Sequence, residues 1–305
     1  MEGIRIYTTE DGLYDNIIMA LALDIRGDLW VGTLQGGLAR IQGYTVFNYG
    51  PENGLLNPSV LSLETDPYGG IWAGTMEGLY FLGRDQPVLQ YISGTSYTPI
   101  TSILRDSHGD IWIGTMADGL MRRKHTLLSG FSLEKRFPAL YIHCLLSDNT
   151  GNLWIGTDTD GLIKLKIPVV KNITRSEGLP ENTVLTLIEG RTGTLWAGTR
   201  NSGLCRIKDA RVDEILNQDR GLTSNTIRCL YEDSQGVIWI GTRGGGINIL
   251  EAGRIKPLAA ENILKSGTIN AIIQDTNDGM WIGTDVGLKI ILSLIHISEP
   301  TRLRR

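Results

Sequence analysis

Residues 148–157 read DNTGNLWIGT, and variants of this stretch recur along the whole chain. The sequence has seven tryptophans, and the intervals between successive ones are 42, 40, 42, 42, 43 and 42 residues. Each tryptophan is followed by an aliphatic residue or alanine and then by Gly-Thr. A fixed period of this length indicates a repeat protein, and the regular register of the tryptophans predicts that they are packed inside it. They are Trp30, Trp72, Trp112, Trp154, Trp196, Trp239 and Trp281.

The residues before each tryptophan predict a tight turn. An aspartate stands six residues before it in six of the seven repeats, and a glycine stands three before it in six. The exceptions are Gly190 and Asp278. An aspartate carboxylate accepts local backbone N–H bonds and glycine tolerates positive φ, so this pair is typical of a hairpin turn. A calcium site fits less well, because one carboxylate per turn supplies too few ligands.

A first strand is predicted before the turn. The residue twelve before the tryptophan is always β-branched, and the residue ten before is always small, as at Ile142 and Cys144. A small side chain at one depth in every repeat indicates strands that converge around an axis. The same pattern assigns Cys144 and Cys229 a packing role rather than a reactive one. The three cysteines have neither zinc-site spacing nor the even number of a disulfide framework.

Two further strands complete each repeat. Gly-Leu or Gly-Ile opens a third strand after Gly-Thr, and a weaker fourth strand follows. Four antiparallel strands in about 42 residues are typical of a propeller blade. We therefore predict an all-β fold, a single seven-bladed β-propeller over residues 1–291. The last repeat lacks a good outer strand whereas residues 4–8 read as one, so the N-terminal strand is predicted to complete blade 7.

Composition excludes some partners and leaves location open. Charged residues make up 20% of the chain and its net charge is −4, which argues against a nucleic-acid partner and a polybasic membrane patch. The sequence has no apolar run of about 18 residues, and its first ten residues lack the features of a signal peptide. The expectation from these features is a cytoplasmic chain or one whose targeting segment is missing.

The composite repeat resembles the two-component regulator propeller repeat. The pattern runs Gly-Leu, often Asn, a β-branched residue, an aliphatic residue, Asp, Gly, Leu/Ile-Trp-Ile-Gly-Thr and Gly-Leu. Its clearest blade links are EGLPEN at 177–182 and RGLTSN at 220–225. Trp-Asp-repeat propellers fit less well, because no tryptophan here is followed by Asp.

The resemblance implies a sensor function. Members of this family are typically hybrid sensors with propellers outside the cytoplasmic membrane, followed by an immunoglobulin-like domain, a membrane helix, and kinase, receiver and DNA-binding modules. In many of them the signal is an oligosaccharide. The chain is thus expected to be a periplasmic, ligand-sensing fragment with a soluble ligand as partner, without catalytic residues, cofactor or metal. Membrane contact would come only through missing segments, and the full-length sensor is expected to form a homodimer.

Residues 292–305 do not continue the repeat. The stretch LSLIHISEPTR at 292–302 resembles a translated sequencing adapter. Residues 292–305 are therefore expected to be a non-native or disordered tail, and a genuine basic tail is the alternative.

The candidate ligand site is predicted where the repeat varies. In a repeat protein the amino-acid sequence varies most in the loops. The residue four positions after the tryptophan is apolar in the first three repeats and charged in the last four. A polar ligand against an apolar wall would use this asymmetry, whereas drift on a solvated loop and an internal ion-pair ring are the alternatives. Tyr14, Tyr97 and Tyr141 in the blade links are candidates for stacking on sugars, or for packing. In chain order the series is Leu34, Met76, Met116, Asp158, Arg200, Arg243 and Asp285.

Two other function classes stay open. A propeller lyase of the streptogramin-lyase type needs a histidine and a carboxylate together on one face, and His143 in a first strand is the histidine placed to contribute. A packed or hydrogen-bonded histidine is the other interpretation of His143. The second class is a propeller that docks only another protein domain. Asn16, Asn182 and Asn225 are predicted to cap the blade links rather than to bind a ligand.

Overall fold

The fold consists of seven four-stranded antiparallel sheets. The computed structural model describes residues 4–95, 97–124, 127–130, 140–166, 169–258 and 267–292. Within each sheet the strands lie in chain order, except that the N-terminal strand joins the last sheet. This confirms the predicted all-β, seven-bladed propeller. The tail at 293–305 lies outside the described residues.

Strand bounds repeat closely from blade to blade. Strand β1 (Ile4–Tyr7) belongs to blade 7; blade 1 contains β2 (Ile18–Leu23), β3 (Leu29–Thr33), β4 (Leu38–Gln42) and β5 (Thr45–Tyr49). Blade 2 contains β6 (Val60–Thr65), β7 (Ile71–Thr75), β8 (Gly78–Leu82) and β9 (Gln90–Tyr91); blade 3 contains β10 (Ile100–Arg105), β11 (Ile111–Thr115), β12 (Leu120–Lys124) and β13 (Leu127–Gly130).

The same arrangement continues through the second half. Blade 4 contains β14 (Ile142–Ser147), β15 (Leu153–Thr157), β16 (Leu162–Lys166) and β17 (Val169–Ile173); blade 5 contains β18 (Val184–Glu189), β19 (Leu195–Thr199), β20 (Leu204–Lys208) and β21 (Arg211–Leu216). Blade 6 contains β22 (Ile227–Glu232), β23 (Ile238–Thr242), β24 (Ile247–Glu251) and β25 (Arg254–Pro257), and blade 7 adds β26 (Ile269–Gln274), β27 (Met280–Thr284) and β28 (Gly287–Ile291).

Among the residues that the structure describes, helix is limited to single 3-10 turns in four blade links. These are Thr9–Asp11, Pro51–Asn53, Arg175–Glu177 and Gln218–Arg220. Among the described residues, no helix is long and apolar enough to cross a membrane.

The repeat aspartate does more than form its turn. In blade 4, Asp148 Oδ1 accepts the backbone N–H groups of Thr150 and Asn152, at 3.0 and 2.8 Å. Its Oδ2 accepts the indole N–H of Trp154 at 2.8 Å, and the corresponding bond is present in blades 1, 3, 6 and 7. Burial alone would raise the pKa of Asp148, but the hydrogen bonds from Asn152 and Trp154 lower it to about 2. The carboxylate thus ties the hairpin turn to the tryptophan.

The tryptophans fill the space between adjacent blades. All seven side chains are between 1% and 7% exposed. Trp154, for example, packs in one cluster with Val184, Leu195 and Ala197 of blade 5. Lys164 covers the ring of Trp154, with its Nζ 4.8 Å from the ring centroid. The core therefore consists of layers between blades, and each layer depends on one tryptophan.

The glycine of Gly-Thr sets the distance between blades. A Cβ at Gly114 would lie 2.6 Å from Cγ2 of Ile142 in the next blade, and at Gly198 it would lie 2.7 Å from Ile227 Cγ2. At Gly283 the corresponding contact is Ile18 Cγ2 of blade 1, at 2.7 Å. Such distances exclude any side chain at these glycines. The glycine of each blade therefore allows the β-branched residue of the next blade to pack directly against the backbone.

The N-terminal strand closes the ring. Strand β1 pairs antiparallel with β28, so that Tyr7 lies opposite Leu288. The side chain of Tyr7 is 1% exposed and its ring centroid lies 5.6 Å from that of Trp281. This confirms the predicted closure, in which the first strand of the chain supplies the outer strand of blade 7.

Replacing Trp154 by alanine is expected to reduce the free energy of unfolding by about 3–5 kcal/mol, the usual cost of removing a large buried aromatic side chain. Chemical denaturation measures this loss. A loss below about 1 kcal/mol would contradict the packing role.

Removing residues 1–9 is expected to lower the thermal midpoint and promote association, because it deletes Tyr7 and exposes the edge of β28. The expected loss is at least about 3 kcal/mol, the cost of one large buried aromatic. Differential scanning fluorimetry and size-exclusion chromatography measure both effects, with removal of residues 292–305 as the control. Equal midpoints for the full chain and the N-terminal deletion would contradict the closure.

Candidate functional site: the loop face and the ring axis

One face of the propeller is built by the loops between second and third strands together with the blade links, and is called the loop face here. The threonine of Gly-Thr fixes each loop, because its hydroxyl donates to the carbonyl of the glycine that opens the third strand, as from Thr157 to Gly161 at 2.8 Å. The same bond is present in all seven blades. The loop backbone is therefore rigid.

The variable residue after Gly-Thr is anchored to the adjacent blade link. The backbone N–H of Asp158 donates to the carbonyl of Tyr141 at 3.0 Å, and that of Arg243 donates to Thr226 at 3.0 Å. Leu34, Met76, Met116 and Arg200 make the equivalent bond. Six blades thus hold the backbone of this residue in the same place while its side chain differs from blade to blade.

The structure brings together the candidates of blades 4 and 5. Arg200 Nη2 lies 2.6 Å from Asp158 Oδ1, and His143 Nε2 lies 2.9 Å from the same oxygen. The side chain of Arg200 is 44% exposed and that of His143 is 13% exposed. The ring of Tyr141 lies 4.4 Å from that of His143, centroid to centroid. These four side chains form one cluster.

The other two charged candidates do not extend that cluster as ion pairs. Within the described part of the chain, Arg243 makes no ion pair with Asp285 or with any other carboxylate. Asp285 is exposed. Burial lowers the pKa of Lys289, and the negative charge of Asp285 opposes this effect. The four residues therefore do not form a closed ring of ion pairs.

The environment of His143 keeps its imidazole neutral near pH 7. Burial lowers its pKa below the usual 6.5, and Arg200 and Arg228 act in the same direction, whereas the hydrogen bond with Asp158 opposes them. A neutral imidazole beside a carboxylate can accept a proton or a hydrogen bond.

Of the three candidate tyrosines, only Tyr141 belongs to this cluster, and the other two lie apart from it. Tyr14 is 62% exposed in the link into blade 1, and Tyr97 is 86% exposed in the link into blade 3. Neither makes a ring contact or hydrogen bond with the charged candidates among the described residues. The link asparagines act as caps: Oδ1 of Asn16, Asn182 and Asn225 accepts a backbone N–H seven residues earlier.

Sequence reasoning missed two residues of the site. Arg228 and Asn270 occupy the position eleven before the tryptophan in blades 6 and 7, the same position as His143 in blade 4. Arg228 Nη2 donates to Asn270 Oδ1 at 3.2 Å. Comparing the residues eleven before each tryptophan from blade to blade could have identified Arg228 and Asn270 from the sequence.

The described residues were also expected to lack a metal site and a reactive thiol. In the described residues, no three His, Cys, Asp or Glu side chains come together as a metal site would require. Burial raises the pKa of Cys144, Cys205 and Cys229 to about 12, so their thiols are protonated at neutral pH.

A cleft of about 1130 Å³ opens on the opposite face, between blades 4 and 5. Its lining includes Lys166, Lys171 and Lys208, together with Asp213. Arg206 in the same cleft is paired with Asp213 at 2.7 Å. This cleft is formed by hairpin turns and strand ends rather than by the variable loops.

The family comparison agrees with the repeat. The model of the family described as "Two component regulator propeller" matches residues 94–117, 136–159, 178–201, 221–244 and 263–286. Each match extends from a blade link to the loop after Gly-Thr. No curated protein matches the chain.

Solved structures share the fold. The extracellular domain of a protein described as a hybrid two-component system of B. thetaiotaomicron is 22% identical, with a TM-score of 0.84 over 97% of this chain and 42% of that one. Virginiamycin B lyase from Staphylococcus aureus is 14% identical, with a TM-score of 0.74 over 96% of this chain and 98% of that one. The chain thus spans less than half of the first protein and nearly all of the second.

Blades 1 and 2 lie outside the matched residues, but they carry the same aspartate, tryptophan and Gly-Thr positions, as in Asp24, Trp30 and Thr33. With five matched repeats and two of the same pattern, this chain belongs to the two-component regulator propeller family.

Proposed function

We propose that this propeller is the ligand-sensing domain of a two-component signalling protein, and that it binds a soluble oligosaccharide at the loop face. Family membership and the fold shared with the extracellular domain from B. thetaiotaomicron support this role and an extracytoplasmic location. Signal output would come from segments beyond this chain, such as immunoglobulin-like and kinase domains, and a homodimer of the full-length sensor would carry it across the membrane.

One observation carries the proposal. The residue after Gly-Thr has its backbone fixed by the same hydrogen bond in six blades, yet it is apolar in blades 1 to 3 and charged in blades 4 to 7. Packing of a symmetric ring gives no reason for this difference, whereas a bound ligand contacts one arc of the ring differently from the other.

The chemistry of the charged arc suits a hydroxyl-rich ligand. Asp158 and Asp285 supply acceptors, and Arg200 and Arg243 supply donors in planar forks. The exposed rings of Tyr14 and Tyr97 stand on blade links of the same face and are available for stacking on sugars. An oligosaccharide presents both hydroxyl groups and apolar ring faces, and it can span several blades.

Replacing Arg243 by alanine is expected to weaken oligosaccharide binding by about tenfold or more while leaving the thermal midpoint unchanged, because Arg243 makes no ion pair in the described structure. Arg200→Ala should have a similar effect on binding with a small loss of stability, since its exposed pair with Asp158 contributes at most about 1 kcal/mol. Calorimetric titration with a panel of oligosaccharides, and melting of each variant, measure both quantities.

The matched control for this experiment is Arg211→Ala, because Arg211 is exposed on the outer strand of blade 5. Lower melting temperatures with unchanged oligosaccharide binding in the Arg200 and Arg243 variants would assign these residues a structural role. Binding of a protein domain with no response to any oligosaccharide would favour the docking scaffold instead.

A lyase is the second candidate, because His143 Nε2 lies 2.9 Å from Asp158 Oδ1 and burial lowers the pKa of His143. A neutral histidine beside a carboxylate is the minimum that a proton-abstracting enzyme needs. The overlap with virginiamycin B lyase concerns the fold alone at 14% identity.

Incubation with a streptogramin B antibiotic is expected to give no ring-opened product by mass spectrometry, since Asp158 is also bound to Arg200. His143→Ala is the control for any background reaction. Product formed by the wild type and lost in this variant would replace the sensor proposal with the lyase.

A further inference from the structure

Each first strand presents one side chain toward the axis at its loop-face end. The residue eleven before the tryptophan is the extra residue of a β-bulge in all seven blades, because the strand register shifts around it. The first strands are innermost and contact both neighbouring first strands, yet this side chain is partly exposed. The seven side chains therefore line the space that the ring encloses: Met19, Leu61, Thr101, His143, Leu185, Arg228 and Asn270.

Arg228 is a partly buried cation that has no carboxylate partner among the described residues. Its Nη2 donates to Asn270 Oδ1 at 3.2 Å, while its Nε is buried and has no acceptor among the described residues. No carboxylate of the described chain lies within ion-pair distance of Arg228. Asn270 Nδ2 donates to the carbonyl of Ile18 at 2.9 Å, which fixes the amide so that its oxygen faces Arg228.

Positive charge accumulates around this side chain. Burial lowers the pKa of Arg228, and the charges of Arg243 and Arg200 act in the same direction. The carboxylate of Asp158 is already shared between Arg200 and His143. The guanidinium groups of Arg200, Arg228 and Arg243 thus lie near a single carboxylate, that of Asp158, which already pairs with Arg200. Removing a charge from water is costly unless an anion compensates it.

The ring itself does not need an arginine here. Leu61 and Leu185 occupy the same bulge position in blades 2 and 5, so an apolar side chain fits the fold at this point. The bond to Asn270 is a single hydrogen bond between neutral and charged partners, and it leaves Nε without a partner. A purely structural role therefore leaves the buried charge unexplained.

We propose that the axial pocket at the loop face binds a carboxylate group of the ligand between Arg228 and Arg243, with Asn270 holding Arg228 in place. A guanidinium fork matches the two oxygens of a carboxylate in plane and spacing. The apolar side chains Met19 and Leu61, at the same position of blades 1 and 2, would contact the nonpolar part of the same molecule. This inference rests on the proposed sensor function, because it names the group by which the sensed ligand is recognised.

The test is calorimetric titration of the full chain with glucuronate, with the non-sugar dicarboxylate glutarate, with neutral glucose and with sulfate. Glucuronate or glutarate is expected to bind at least about tenfold more tightly than glucose and sulfate. Tighter binding of glucuronate identifies an acidic sugar as the source of the carboxylate, and tighter binding of glutarate identifies a simpler acid.

Arg228→Gln is expected to weaken carboxylate binding by about tenfold or more without lowering the thermal midpoint, because it removes a partly buried charge that has no carboxylate partner among the described residues. Arg211→Gln, on the exposed outer strand of blade 5, is the matched control and should change neither quantity.

Three results would overturn the inference: no binding of either carboxylate to the wild type, equal binding to Arg228→Gln, or sulfate binding as tight as that of the carboxylates. A neutral oligosaccharide whose binding is lost in Arg243→Ala but kept in Arg228→Gln would overturn the carboxylate assignment and leave the sensor proposal standing. The two proposals therefore fail separately.

Discussion

In five of the seven blades the fold depends on one carboxylate, which joins a hairpin turn to the indole that fills the space between blades. In five blades the aspartate accepts the indole N–H, and the turn N–H groups bind its other oxygen. A hydrogen bond to a charged group contributes about 1.5–3 kcal/mol. Because the tryptophan also packs on the next blade, this bond couples the local turn to the assembly of the ring.

The two blades without that bond show what it does. In blade 2 the Nε1 atom of Trp72 is buried and has no acceptor within the described segments, and the ring instead contacts Phe81, 4.5 Å away between centroids, and Arg123, 4.9 Å from the ring centroid. In blade 5 Gly190 replaces the aspartate, and Arg206 lies 6.0 Å from the ring of Trp196. Packing can therefore keep a tryptophan in place, but five of the blades use the carboxylate.

The fold could be predicted from the sequence because each residue that recurs in the repeat has a local structural role. Gly-Thr, the β-branched residue and the tryptophan recur at fixed spacing, so blade number, strand order and closure by residues 4–8 could all be predicted. The indole–carboxylate bond was not predicted, because turn formation already explained the aspartate. It joins residues six apart on two sides of a hairpin, and only coordinates show that the side chains meet.

The site could be predicted only in part, because its residues come from two positions of the repeat. Variation after Gly-Thr located Asp158 and Arg200, which are in contact, whereas Arg228 and Asn270 come from the first strand. A bulge at one point of the first strand decides which side chain faces the axis, and a strand pattern of period two does not locate a bulge.

The same bulge explains why the residue proposed to bind a ligand does not disturb the blades. The bulged side chain stands out of the regular strand alternation, between Ile227, which packs on the glycine of the preceding blade, and Cys229, which packs on the glycine of its own blade. These two neighbours carry the packing, so the residue between them can be leucine, threonine, histidine or arginine without changing the distance between blades. Seven such positions, which share one backbone geometry and differ in charge, allow a symmetric ring to present an asymmetric surface. Arg228 is partly buried and has no carboxylate partner in the part of the chain that the structure describes, so it marks the arc where a compensating anion would stabilise the ring most.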